Sequence, residues 1–180
     1  MAVRRYFLGA NTSEGFVSLY KDFCTPESGN FLYVIKGGPG CGKSSFMKRI
    51  GKAAEDAGLD VEYVLCSADP ESLDGVLVPA WHTGYVDGTS PHGMDVSLPA
   101  ASGAYLDLGR FYDVKALRPK RELLAGLTEK CRACYARAYE ALHEAKRLHD
   151  EIEAVYNPHV DFDGVYALAK EHILRLQTEI

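Results

Sequence analysis

The stretch Gly37-Gly38-Pro39-Gly40-Cys41-Gly42-Lys43-Ser44 constrains this chain more than any other. It fits G-x-x-x-x-G-K-[ST] and sits between two segments of different periodicity. Before it, Phe31 to Ile35 is a compact apolar, β-branched run that reads as a strand. After it, Phe46, Met47, Ile50, Ala53, Ala54 and Ala57 recur at helical spacing, and Gly58 supplies a left-handed stop. Glycines at such a strand-to-helix turn let successive N–H groups converge on an anion, and the helix N-terminus adds its partial positive charge. Side chains there would obstruct phosphates. The pattern predicts a polyphosphate site built from Gly37, Gly38, Pro39, Gly40, Cys41, Gly42, Lys43, Ser44 and Ser45. Lys43 is the point charge for β- and γ-phosphate oxygens, and the Ser44 hydroxyl is the expected Mg²⁺ ligand. Pro39 and Cys41 shape the loop.

Beyond the loop and its helix, Val61 to Cys66 reads as a strand, with Val76 to Val78, Gly84 to Val86 and Arg5 to Leu8 as shorter ones. Strands alternating with helix predict an α/β fold: a mostly parallel sheet of about three or four strands with flanking helices. Thr12 or Ser13 is the predicted N-cap of a helix carrying Phe16, Leu19, Tyr20 and Phe23.

From Pro119 nothing breaks the helical pattern until Asn157-Pro158, a span of about 38 residues or roughly 57 Å. Leu124, Cys131, Ala138, Ala145 and Ile152 recur every seventh residue, with Leu127, Cys134, Ala141, Leu148 and Val155 in the other seam position. Asp161 or Asp163 caps a returning helix with Val165, Ala169, Ile173, Leu176 and Ile180 as its stripe, so residues 118–180 are expected to form a coiled-coil-like hairpin beside a nucleotide-binding core at 1–117. A return of about 18 residues covers only half the first helix. The rest of the 119–156 helix therefore needs a partner helix, and the chain reads as a fragment of a longer protein.

Composition narrows the function classes. Hydrophobic residues make up 47% and charged residues 25%, as in globular domains. Twenty basic against 25 acidic residues leave a net charge of −5, so a general grip on nucleic acid is not expected. Five scattered cysteines read as reduced thiols, and no run reaches about 18 apolar residues, which gives no membrane span and a cytoplasmic expectation. Cys131 and Cys134 spell C-x-x-C, but both fall in the heptad seam and read as small buried core residues. Arg118, Lys120 and Arg121 read as a solvated basic face.

A triphosphate with Mg²⁺ also needs a carboxylate near the end of a neighbouring strand. Asp87, closing Gly84-Tyr85-Val86-Asp87, is the first candidate, although an Asp before Gly equally suits a turn. Asp69 and Asp74 are reserves. Glu71, Asp74 and His92 are candidates for orienting an attacking water, and Arg110 for contacting phosphate.

The segments Ala10 to Phe16, Lys36 to Ser45, Cys66 to Val76 and Val86 to His92 together resemble an uncharacterised bacterial P-loop ATPase family. Its chains look like two related phosphate-loop modules, the first with a helical insertion, so this sequence resembles a first module. The resemblance implies nucleotide binding at Gly37 to Ser45 and draws Asp69, Asp74, Asp87 and His92 into the family pattern. It implies no substrate. The expected function is an Mg²⁺-dependent ATP-binding NTPase coupled to the helical arm or a second module, with catalytic roles for Lys43, Asp87 and His92. ATP is preferred to GTP because no Asn/Thr-Lys-x-Asp segment is present. A kinase acting on a small molecule or nucleotide, and a nucleotide-switched scaffold or DNA-handling protein, are the alternatives.

Overall fold

A computed structural model describes residues 1–89 and 93–178; His92 lies outside them. The chain runs β1 (Val3–Phe7), β2 (Gly9–Thr12), β3 (Gly15–Ser18), β4 (Phe31–Lys36), α1 (Lys43–Asp56), β5 (Val61–Leu65), β6 (Leu73–Val78), β7 (Thr83–Asp87), β8 (Gly103–Asp107), α2 (Val114–Leu117), α3 (Arg121–Tyr156) and α4 (Phe162–Thr178). Six strands form one sheet in the order β1-β5-β6-β7-β4-β8, while β2 and β3 pair separately. The sheet is mostly parallel: β6 alone runs against its two neighbours.

Alternation along the inner strands sorts their side chains onto two faces. Val34, Val64 and Val86 point to one, where Tyr20, Phe23, Cys24 and Leu32 join them. Ile35, Tyr63, Val76 and Val78 point to the other, beneath Met47 and Ala54 of α1. Met47, Gly51 and Ala54 are the buried residues of α1, spaced at helical intervals. Within the sheet, Tyr33 and Tyr85 lie opposite in register with stacked rings 5.0 Å apart.

The N-terminal expectation is overturned. In place of a helix from Thr12 or Ser13, Gly9–Thr12 and Gly15–Ser18 form a hairpin closed by Ser13 and Glu14. Gly15 adopts φ 93°, and the Thr12 hydroxyl accepts from the Glu14 amide and donates to the Gly15 carbonyl. Phe16, Tyr20 and Phe23 do pack inward, but from a strand and a 3-10 turn, so apolar spacing alone chose the wrong period. The sheet is also larger than expected. β8 adds a parallel edge beside β4 although Gly103 and Ala104 give it a weak strand signature.

The long helix forms as Arg121–Tyr156, 36 residues, and α4 follows after the Asn157–His159 turn, with the Asp161 carboxylate accepting from the Gly164 amide. The antiparallel packing expected of the pair is not observed: every described residue of α4 is exposed, and Leu124, Leu127, Leu148, Ile152 and Val155 of α3 are between 46% and 69% exposed. The middle of the seam is Cys131, Cys134, Ala138, Ala141 and Ala145, side chains that offer little area to bury against a short helix. Cys131 and Cys134 are themselves exposed, which corrects their reading as core residues. Tyr139 ties α3 to the globular part through its hydroxyl, 2.9 Å from Asn11 Oδ1. Among the described residues no helix is long and apolar enough to cross a membrane.

A Cβ at Gly51 would come within 2.3 Å of the Tyr63 ring, so α1 can approach the sheet only with glycine there. Gly51→Leu is expected to lower unfolding free energy by about 1–3 kcal/mol or more through overpacking. Chemical denaturation checks this; an unchanged midpoint would contradict the close approach.

Candidate functional site

The loop 37–42 leaves the carboxyl end of β4, which is flanked on both sides, by β7 and by β8. Its exit direction is thereby fixed. Gly40 (φ 73°) and Gly42 (φ 89°) hold left-handed conformations that turn the chain into α1, and no side chain caps that helix. Among the described residues, the amides of Gly42, Lys43 and Ser44 meet no acceptor within the chain. Orphan donors of this kind are intrinsic to a helix start, and here glycine in place of a capping side chain leaves them without a side-chain partner.

Lys43, the first residue of α1, folds back over the loop. Its Nζ donates to the carbonyls of Gly37 and Gly38, each at 3.1 Å, and lies 3.5 Å from Asp87 Oδ2. Both charged side chains are nearly buried, at 11% and 13% exposure. Asp87 ends β7 next to β4, in register with Ile35. Its second oxygen accepts from the Thr89 amide at 2.9 Å and the Thr89 hydroxyl at 2.5 Å. The turn role foreseen as the alternative to a metal role is thus taken by one oxygen, while the other faces Lys43, a pairing the sequence did not indicate. Ser44 Oγ accepts from the Leu73 amide at 2.9 Å, which brings the amino end of β6 to the same place.

That junction also carries Asp74, only 4% exposed, whose Oδ2 accepts from the Tyr20 hydroxyl at 3.1 Å. Burial first, then the Asp74 charge and hydrogen bond, drive the Tyr20 phenol well above its ordinary value. Cys66, at the end of β5, is also raised, by burial foremost and in smaller part by Asp74. Lys43, Ser44 and Asp87 thus meet at one end of the sheet, and Asp74 follows Leu73 at that end with its carboxylate turned to Tyr20.

The other candidates are elsewhere or differently employed. Asp69 is exposed and shapes the turn before β6, accepting from the Glu71 amide at 3.2 Å. The Glu71 carbonyl accepts from Lys48, and Arg110 lies exposed over the Phe111 ring. Ser45 is exposed on α1. Sequence reasoning missed Lys36, which donates to the carbonyls of Gly88 (3.0 Å) and Met94 (3.1 Å) and pairs with Asp95. It also missed Tyr112. The Tyr112 hydroxyl donates to the Pro39 carbonyl at 2.6 Å, and a Cβ on Gly38 would sit 3.0 Å from that oxygen. A separation of 73 residues leaves no local signal for this contact.

Tyr20→Phe removes a donor from a buried carboxylate and is expected to cost about 1–3 kcal/mol of stability, read by denaturant unfolding; a neutral result would contradict the hydrogen bond. Because the folded phenol is raised above its ordinary 10.0, the neutral form contributes stability in full below that pH and loses it as pH rises. Wild-type stability should therefore hold to about pH 9 and fall above it, less steeply in Tyr20→Phe. No family model, curated protein or solved structure matches this chain.

Proposed function

We propose that the protein is a P-loop NTPase that binds a nucleoside triphosphate, ATP in the first instance, on residues 37–45 with Mg²⁺. The observation that carries this reading is the glycine-turned start of α1, whose amides no side chain caps, together with the Lys43–Asp87 pair. Lys43 already contacts loop carbonyls and a carboxylate that phosphate oxygens would replace as partners, so its charge is poised at the site. Ser44 and Asp87 are hard oxygen donors suited to Mg²⁺, which when bound supplies charge neutralisation for the phosphates. Asp74, buried at the same end of the sheet and bonded to Tyr20, is the reserve carboxylate, and His92 keeps its proposed water-orienting role on sequence grounds alone.

Coupling to the helical arm follows from connectivity. The segment that touches the loop through Tyr112 continues within nine residues into α3, so a change in loop backbone has a short path to the arm. The exposed seam of α3 supports a partner helix or second module as its cover.

Fluorescent-nucleotide titration with Mg²⁺ tests the reading. Lys43→Ala is expected to weaken binding by about tenfold or more, the scale of a charged hydrogen bond. Asp87→Asn should lose most of the Mg²⁺ enhancement. Equal binding by wild type and Lys43→Ala would contradict the proposal.

A further inference from the structure

A groove of about 470 Å³ opens between the segment after β8 and the beginning of α3, lined by Tyr112, Val114, Leu117, Arg118, Arg121 and Leu124. It is continuous with the loop. Tyr112 belongs to both, through its hydroxyl on Pro39, and Gly109, at the groove's inner end, has its amide 3.2 Å from where a Gly37 Cβ would stand.

Its chemistry is mixed in a particular way. Leu117, Val114 and Leu124 provide apolar surface, with Val114 67% and Leu124 46% exposed. Arg118 and Arg121 add two guanidinium groups that have no ion-pair partner among the described residues. Arg118 stands in the turn leading into α3 and Arg121 is its first residue, where the helix dipole disfavours cations, and both line the groove that Tyr112 joins to the loop. Glu122 is the acidic residue of the first turn of α3, and among the described residues it forms no ion pair with either arginine. A flat heteroaromatic ring with polar edges, carried on an anion, suits this lining: aliphatic side chains cover its faces, and planar guanidinium groups stack on it or donate to its ring acceptors.

We propose that this groove holds the nucleoside, base and ribose, of the nucleotide whose phosphates lie on residues 37–45, an inference that rests on that reading of the loop. The basic cluster read from sequence as a solvated face is thereby part of the site. Tyr112, held by Pro39, is the wall between the phosphate end and the base end.

Calorimetry on the full chain with Mg²⁺, using ATP and inorganic tripolyphosphate as separate probes, tests it. Wild type is expected to bind ATP about tenfold or more tightly than tripolyphosphate, the scale of ring stacking. The double variant Leu117→Gln with Leu124→Gln, and separately Arg121→Gln, should bring ATP down by about tenfold, with the Gln pair leaving tripolyphosphate within about twofold. Arg121 and Leu124 are exposed, so Arg121→Gln keeps the test valid should the double variant fold poorly. ATP affinity unchanged in all groove variants, while Lys43→Ala weakens both probes, would overturn the groove and spare the loop. Both probes binding Lys43→Ala as well as wild type would overturn the loop reading and the groove with it.

Discussion

The structure depends on the flanked position of β4. Hydrogen-bonded to β7 on one side and β8 on the other, it delivers residue 37 to a fixed point with a fixed direction, and α1 is fixed in turn by Met47, Gly51 and Ala54 against the sheet. The loop joining them has two rigid ends and glycines at its turns. Such a loop can hold amide groups in a constant array without a side chain to cap them, which is what preorganised anion binding requires.

Around that array the chain gathers groups from distant segments. Asp87 comes from β7, the Leu73 amide and Asp74 from β6, and Tyr112 from beyond β8. The Tyr20 phenol and the buried Asp74 carboxylate on one side, and a nearly buried ion pair on the other, make the junction electrostatically tight. Charge arriving there would be felt by Lys43 first, since its carbonyl contacts are the exchangeable ones.

The loop, α1, β4, β5 and β7 were legible because each carries its own local signal: a glycine-rich motif, 3.6-residue spacing, or a β-branched run. Asp87 was legible as a strand end next to a turn. The hairpin β2–β3 was not, because Phe16, Tyr20 and Phe23 happen to fall at helical spacing while the Thr12 and Gly15 turn chemistry decides the fold. β8 was missed because its stability comes from pairing with β4, a tertiary effect on a weak sequence. The heptads of α3 correctly gave a long helix but implied a covered seam that this chain leaves open. Tyr112 and the groove beside it arise from contacts across the fold, which no spacing rule encodes.

A crystal structure of the chain grown with a non-hydrolysable ATP analogue and Mg²⁺ is the most direct measurement. The account predicts phosphate oxygens within hydrogen-bond distance of the amides of Gly42, Lys43 and Ser44, with Lys43 Nζ moved from the Gly37 and Gly38 carbonyls onto the phosphates. An analogue bound at another place, or a loop that keeps Lys43 on those carbonyls with no phosphate beside it at saturating concentration, would contradict it.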